Sequence, residues 1–330
     1  MGLNLEVKIF GMVRSTRMSK VLEKFIGRAK AWLFRWGANY KTNILYQDLQ
    51  IPTESKRKPT LCVFAHFSSS LKIDRSVLHL VSALCHADCD VIFVSSSGKG
   101  FEIAEFDKLK DVAIGKILRQ NFGYDFGSWK AAVDVYPEMS SDYERIVFAN
   151  DSVFGPFSDL KKILQGISCR NYDVWSLTDS YERGYHLQSF FWGVESKGLN
   201  GGFFEYFWNE YFRYCSNREE AIKQYELSFC AIAKQLFGLR VGAYFGISVL
   251  EAKYCVVAHN NISKCNPVQH LAYALLNNEG FPFVKRELLL RNPMGVRELA
   301  DIKESCQRIN PELWAFVNQE LFRHSLGRGE

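Results

Sequence analysis

The chain has 330 residues, 47% of them hydrophobic and 15% aromatic, with a formal net charge of +5. That length and apolar content exclude a disordered chain and allow one large domain or two small ones. Residues 1–58 hold 12 Lys and Arg against 4 Asp and Glu, and the rest hold 29 against 32. The basic character therefore belongs to the N-terminal segment, which excludes a nucleic-acid groove along the body.

In chain order, 18–37 carries apolar residues at helical spacing (Val21, Leu22, Phe25, Ile26, Ala29, Trp32, Leu33, Trp36), with Lys20, Lys24, Arg28, Lys30 and Arg35 mostly on other faces. Such a helix lies either on an anionic membrane surface or on its own domain. "YQDLQIPTESKRKP" (46–59) reads as a linker. Strands are expected at 59–67, 90–97, 111–121, 144–152, 173–180 and 186–196. Helices are expected at 74–87, 126–136, 157–167, 202–214 and 218–237. This alternation predicts an α/β fold, a mainly parallel sheet flanked by helices, with its ligand crevice beyond the carboxyl ends of the strands. The chain divides into a basic helix and linker (1–58), the α/β domain (59–300) and a helical tail (301–330). No apolar run reaches the ~18 residues of a membrane span, and charges interrupt every short N-terminal apolar run, unlike a signal peptide. Nine cysteines without a CxxC pair suit free thiols in a reducing compartment, so a cytoplasmic protein is expected.

Polar residues recur at the expected strand ends. The first strand ends at His66. The third runs into "RQNFGYDFGSW", where Arg119 suits a phosphate and Asn121 a base or ribose edge. Gly123 and Gly127 allow close approach of the backbone, and Asp125 is either a helix cap or a ligand contact. The fourth strand delivers Asn150, Asp151 and Ser152. A carboxylate there can hold Mg²⁺ or Mn²⁺, although Asx residues also cap turns. His186, Gln188 and Ser189 interrupt an apolar strand, and Gln188 reads as a sugar or acceptor contact. No Rossmann or P-loop motif is present.

"RQNFGYDFGSWKAA", "IVFANDSVFGP", "HLQSFFWGV", "IKQYELSFCAIAKQLFG" and "GFPFVKRELLLRNP", in this order over roughly 60–295, resemble the rhamnan-synthesis F family of rhamnosyltransferase-like proteins. The resemblance implies a GT-A glycosyltransferase with a nucleotide-sugar donor and a divalent cation. Asp151 is then the family's version of an Asp-x-Asp metal motif, incomplete here because positions 149 and 153 are Ala and Val. Asn121, Gly123 and Asp125 become the donor loop, together with His66, Arg119, Asn150 and Gln188. Glu226 takes the place of an inverting enzyme's general base, and the alternative is a solvated helix residue. Lys285 neutralises the leaving diphosphate or opens a helix beside Glu287. His270 is a metal ligand or a structural histidine. The implied reaction transfers L-rhamnose from dTDP-rhamnose to a lipid-linked saccharide at the inner face of the cytoplasmic membrane, in cell-surface polysaccharide (O-antigen) assembly. A non-catalytic scaffold and a nucleotide-sugar hydrolase are the competing readings.

Overall fold

The computed structural model describes residues 43–215, 217–254 and 265–326. The helix expected over 18–37, with its membrane contact, lies outside the described residues. Nine strands form one mixed, mainly parallel sheet. They are β1 (Ile44–Leu49), β2 (Thr60–His66), β3 (Cys89–Ser95), β4 (Gly115–Arg119), β5 (Arg145–Asn150), β7 (Val174–Ser180), β8 (His186–Leu187), β9 (Phe191–Glu195) and β10 (Val241–Phe245). Their order is β1-β4-β3-β2-β5-β9-β7-β10, with β8 paired to β7. β4, β3, β2 and β5 run parallel, β9 is antiparallel to both β5 and β7, and β10 is parallel to β7. The carboxyl ends of β2 to β5, β7 and β10 thus share one edge with the amino end of β9. A separate ribbon pairs β6 (Val153–Phe154) with β11 (Val284–Lys285), antiparallel, so that Lys285 lies opposite Val153.

β2 shows why the sheet is central. All seven of its residues are buried. Leu61, Val63 and Ala65 point into one core with α2 (Tyr124–Val135), while Cys62 and Phe64 point into a second core with α1 (Arg75–His86) and α3 (Leu160–Ser168). Strands buried on both faces read as continuous apolar runs, which is what parallel pairing between two helical layers requires. The expected α/β architecture is the observed one.

Two boundaries differ from the sequence expectation. The expected linker at 46–59 begins as the edge strand β1, antiparallel to β4 from Ile44↔Arg119 to Leu49↔Gly115, with a bulge between Ile44 and Tyr46. Its half-exposed alternation with Gln47 and Asp48 is the weak signal of an edge strand. The expected strand 186–196 is two strands: the chain leaves the main sheet at Gln188–Phe190, and β8 pairs with the end of β7 instead. The helices expected over 202–214 and 218–237 are chains of short α and π turns, broken at Phe212–Cys215. They pack Phe207, Trp208, Tyr225 and Phe229 around Trp192 and Phe126.

The C-terminal helices α5 (Leu299–Ile309) and α6 (Pro311–Leu326) follow α4 (Arg286–Arg291). They bury Ile302, Cys306, Leu313 and Val317 against Phe154, Phe157 and Leu288. Among the described residues no helix is long and apolar enough to cross a membrane, and the described cysteines are all free.

Candidate active site

The turn after β4 is built around a buried cation. Arg119 is fully buried; its Nη1 donates to Ser128 Oγ at 3.1 Å and its Nη2 to the Phe122 carbonyl. Burial lowers its pKa to about 10. A Cβ on Gly127 would stand 2.5 Å from the Phe122 oxygen and 3.1 Å from both terminal nitrogens of Arg119. Gly123 has φ +79°, and a Cβ there would meet Tyr214 Cδ1 at 2.6 Å. Only glycine fits either place, because one is crowded by backbone and the other is both left-handed and crowded. Arg119 therefore lies beneath the turn and shapes it, while Asn121 is exposed on it. The turn starts α2 so that Asp125, in its first helical turn, reaches the end of β5.

At that end, Asn150 Oδ1 accepts from Ser152 N–H at 3.1 Å and from Ser152 Oγ at 2.6 Å, a side-chain-closed turn. Its Nδ2 donates to Asp125 Oδ2 at 2.8 Å. Lys285 Nζ donates to Ser152 Oγ at 3.1 Å and sits 4.2 Å from the centre of the Phe190 ring. One chain of hydrogen bonds thus links Lys285 to Asp125 through Ser152 and Asn150. Asp151 follows on the same turn, and its Oδ2 accepts from the Phe67 N–H at 2.9 Å. Glu226 enters from the short helical turns, where Ser189 Oγ donates to its Oε1 at 2.7 Å.

These carboxylates feel one another. Burial, then the charges of Asp151 and Glu226, raise Asp125 to about 7 against the donated bond from Asn150. Burial also raises Asp151, opposed by the charge of Arg286 and by the Phe67 N–H. Crowded carboxylate oxygens are the donors a hard divalent cation prefers. Among the described residues no three His, Cys, Asp or Glu side chains converge into a ready cage. The donor set therefore fits a cation held by one or two carboxylates and completed by phosphate oxygens and water, the usual magnesium arrangement.

Four expected site residues have other surroundings: the buried Arg119 guanidinium is spent on Ser128 and Phe122 and is not open to a phosphate. His66 is buried at 2% exposure, with Nδ1 3.1 Å from Ser95 Oγ and its ring against Phe93 and Phe101. Burial, helped by Arg286, lowers its pKa to about 3, so the imidazole is neutral. Gln188 is engaged at both ends of its amide, by Thr178 Oγ1 at 2.6 Å and Asn266 Oδ1 at 3.1 Å, and works as a strut between β7 and the chain at Asn266. His270 is exposed, with Nδ1 against the Asn266 N–H at 2.9 Å and the Asn266 carbonyl at 3.1 Å, and among the described residues it joins no cation-holding group. The strip of Asp125, Asn150, Asp151, Ser152, Lys285, Ser189 and Glu226 is what the fold brings together. Ser152 and Ser189 carry roles in it that no spacing announces: the Lys285–Ser152 bond spans 133 positions and the Glu226–Ser189 bond 37.

An open α/β sheet with its polar groups gathered at the carboxyl edge, on glycine-shaped turns, is the class of fold in which ligands bind across strand ends. The chain belongs to the rhamnan synthesis protein F family, whose model matches residues 91–320. The virulence protein VirA of Vibrio anguillarum (strain ATCC 68554 / 775) is 31% identical over 203 residues, covering 56% of this chain and 64% of VirA. The match thus spans a little under two thirds of that relative. Among solved structures the chain is similar to the mannosyltransferase PcManGT from Pyrobaculum calidifontis in complex with GDP-Man and Mn²⁺, with a TM-score of 0.39 and 10% identity over 93% of this chain and 90% of that one. It is also similar to the glycosyltransferase GlyE of Streptococcus pneumoniae TIGR4, with a TM-score of 0.40 and 12% identity over 82% of this chain and 64% of that one.

Proposed function

We propose that this chain is an inverting glycosyltransferase of cell-surface polysaccharide assembly. It takes a deoxyhexose, L-rhamnose, from a dTDP donor and passes it to a lipid-linked saccharide. Family membership supports the polysaccharide class, and the sugar and acceptor come from the resemblance to that family. The observation that carries a transferase reading is the meeting of Asp125, Asp151, Glu226 and Lys285 at one sheet edge. Glu226 is held by Ser189 through Oε1. Its Oε2 takes the proton of the acceptor hydroxyl as that oxygen attacks the anomeric carbon. The attack comes from the face opposite the diphosphate, through an oxocarbenium-like state. Lys285, steadied by Ser152 and the Phe190 ring, offsets the charge growing on the departing diphosphate. Asp151, with Asp125 beside it, would hold a divalent cation, which when bound supplies Lewis-acid neutralisation of the diphosphate. Asn121, exposed on the turn that Arg119 shapes, faces the nucleotide.

The test is nucleotide release from dTDP-rhamnose and other nucleotide sugars, with Mg²⁺, Mn²⁺ or EDTA, with and without a lipid-linked acceptor. Acceptor-dependent release supports transfer. Acceptor-independent release makes the protein a nucleotide-sugar hydrolase, and binding without release makes it a scaffold. Glu226→Gln is expected to lower turnover about a hundred- to ten-thousandfold while the variant still binds nucleotide, and Asp151→Ala to lose the metal response. Wild-type turnover in both variants would overturn the assignment.

A further inference from the structure

The loop between β7 and β8 lies at the same sheet edge and has no part in the mechanism above. It presents Tyr181 and Tyr185 with ring centres 5.3 Å apart at 55°. Tyr185 is 41% exposed while its phenol end lies close to the Asp179 carboxyl, so one end of the side chain faces the body and the ring stays open to solvent. Asp179 is itself fixed by the Ile247 N–H at 2.6 Å. The loop is tied down further by Glu182, whose Oε2 accepts from Asn266 Nδ2 at 3.0 Å, and by its N–H on Ser180 Oγ at 3.1 Å. Between the tyrosines, Arg183 forms a forked pair with Glu219 at 2.8 and 3.3 Å. Glu226 lies close enough to act electrostatically on Arg183. A tyrosine with its phenol end against the body offers its face at little further cost in entropy.

We propose that Tyr185, flanked by Tyr181 and Arg183, is the platform for the acceptor saccharide. The axial C–H face of a pyranose is apolar and stacks on such a ring, while its hydroxyls point outward to charged groups. On Tyr185 the sugar's hydroxyl edge is offered to Arg183 and to Glu226. This assignment rests on the reading of Glu226 as the base, and it moves acceptor recognition from Gln188, whose amide is already engaged, to the loop that Gln188 helps brace through Asn266.

The experiment uses the full chain with methyl glycosides of L-rhamnose, D-glucose, D-galactose and N-acetyl-D-glucosamine as probes in saturation-transfer NMR, beside dTDP as an independent ligand. The wild type is expected to pass saturation to the ring C–H protons of at least one glycoside. Tyr185→Ala is expected to lose that transfer, Tyr185→Phe to keep it, and dTDP binding to stay within about twofold in both. In the transfer assay Tyr185→Ala raises the acceptor KM about tenfold and leaves the donor KM alone. Glycoside binding that persists unchanged in a folded Tyr185→Ala variant would overturn the platform, as would dTDP binding with no response to any glycoside in the wild type. The two readings fail separately. A glycoside bound at Tyr185 without turnover leaves the platform standing and removes the transferase. Turnover with an acceptor KM indifferent to Tyr185 does the reverse.

Discussion

Asp125 carries the electrostatic cost of the site. Its ordinary pKa of 3.8 rises to about 7 in the folded chain. Between those values the folded state holds a proton that the unfolded state has released, so stability falls as pH rises through that window, and the loss is complete above it. An amide has no charge to bury and still accepts from Asn150. Asp125→Asn is therefore expected to melt with the wild type near pH ~4 and higher by roughly 2–6 °C near pH ~8. Calorimetric scans of both proteins across pH check it, and equal melting temperatures at the upper end would remove Asp125 from the charged cluster. Stabilisation by removing a site group is the usual sign that function set the residue. Gly123 and Gly127 are the opposite case. They were legible in "RQNFGYDFGSW" as backbone positions, but the object they make room for, the Arg119 guanidinium and the Tyr214 ring, was not.

Among the elements, β1 separates the sequence reading from the observed chain most clearly. "YQDLQ" (46–50) has no β-branched residue and two amides, the composition of a linker, yet Tyr46, Gln47, Asp48 and Leu49 all pair with β4. Lys116 Nζ reaches Asp48 at 3.5 Å across the pair, and Leu49 fills the space that Gly115 leaves beside Ile92. The informative comparison is between removal of residues 1–42 and removal of residues 1–50, which differ by Asn43, β1 and Gln50. Removing residues 1–50 bares the β4 edge and is expected to cause aggregation. Light scattering and melting of the two truncations decide it; identical behaviour would mean that β1 adds nothing to the sheet. The central strands were legible because burial on both faces leaves continuous apolar runs, and the polar strand ends were legible as a convergent edge. The π turns around Trp192 were not, because a single π turn displaces the apolar residues too briefly to change the helical pattern of the surrounding run. The break at Gln188–Phe190 was visible only as polar residues in an apolar run.

At the scale of the molecule, the last helix is tied to the site by charge. Arg286 donates its N–H to the Ser152 carbonyl at 3.0 Å. Its guanidinium lies 4.4 Å from the centre of the Phe154 ring, 3.0 Å from Ser76 Oγ and 2.9 Å from Glu320 on α6. Arg323, one turn on, meets Asp74 at 2.8 Å before α1. Glu320→Ala leaves a half-buried guanidinium without its carboxylate, and is expected to cost about 2–4 kcal/mol in denaturant unfolding. Arg323→Ala, at an exposed pair, is expected to cost under about 1 kcal/mol. Similar losses for the two would show that α6 is held by its apolar face alone. None of this long-range wiring has a local signature, since Ser76 and Arg286 lie 210 positions apart.

The pairing of Ile44 with Arg119, and of Asn43 O with the Gln120 N–H at 2.9 Å, fixes where the basic N-terminal segment joins the body. Residue 43 stands next to the turn that carries Asn121 and Asp125. The described chain therefore begins beside that turn, on the carboxyl edge of the sheet. A fusion or label attached at residue 43 would sit at the rim of the candidate site rather than behind the sheet, so a fluorophore there would report on ligand arrival.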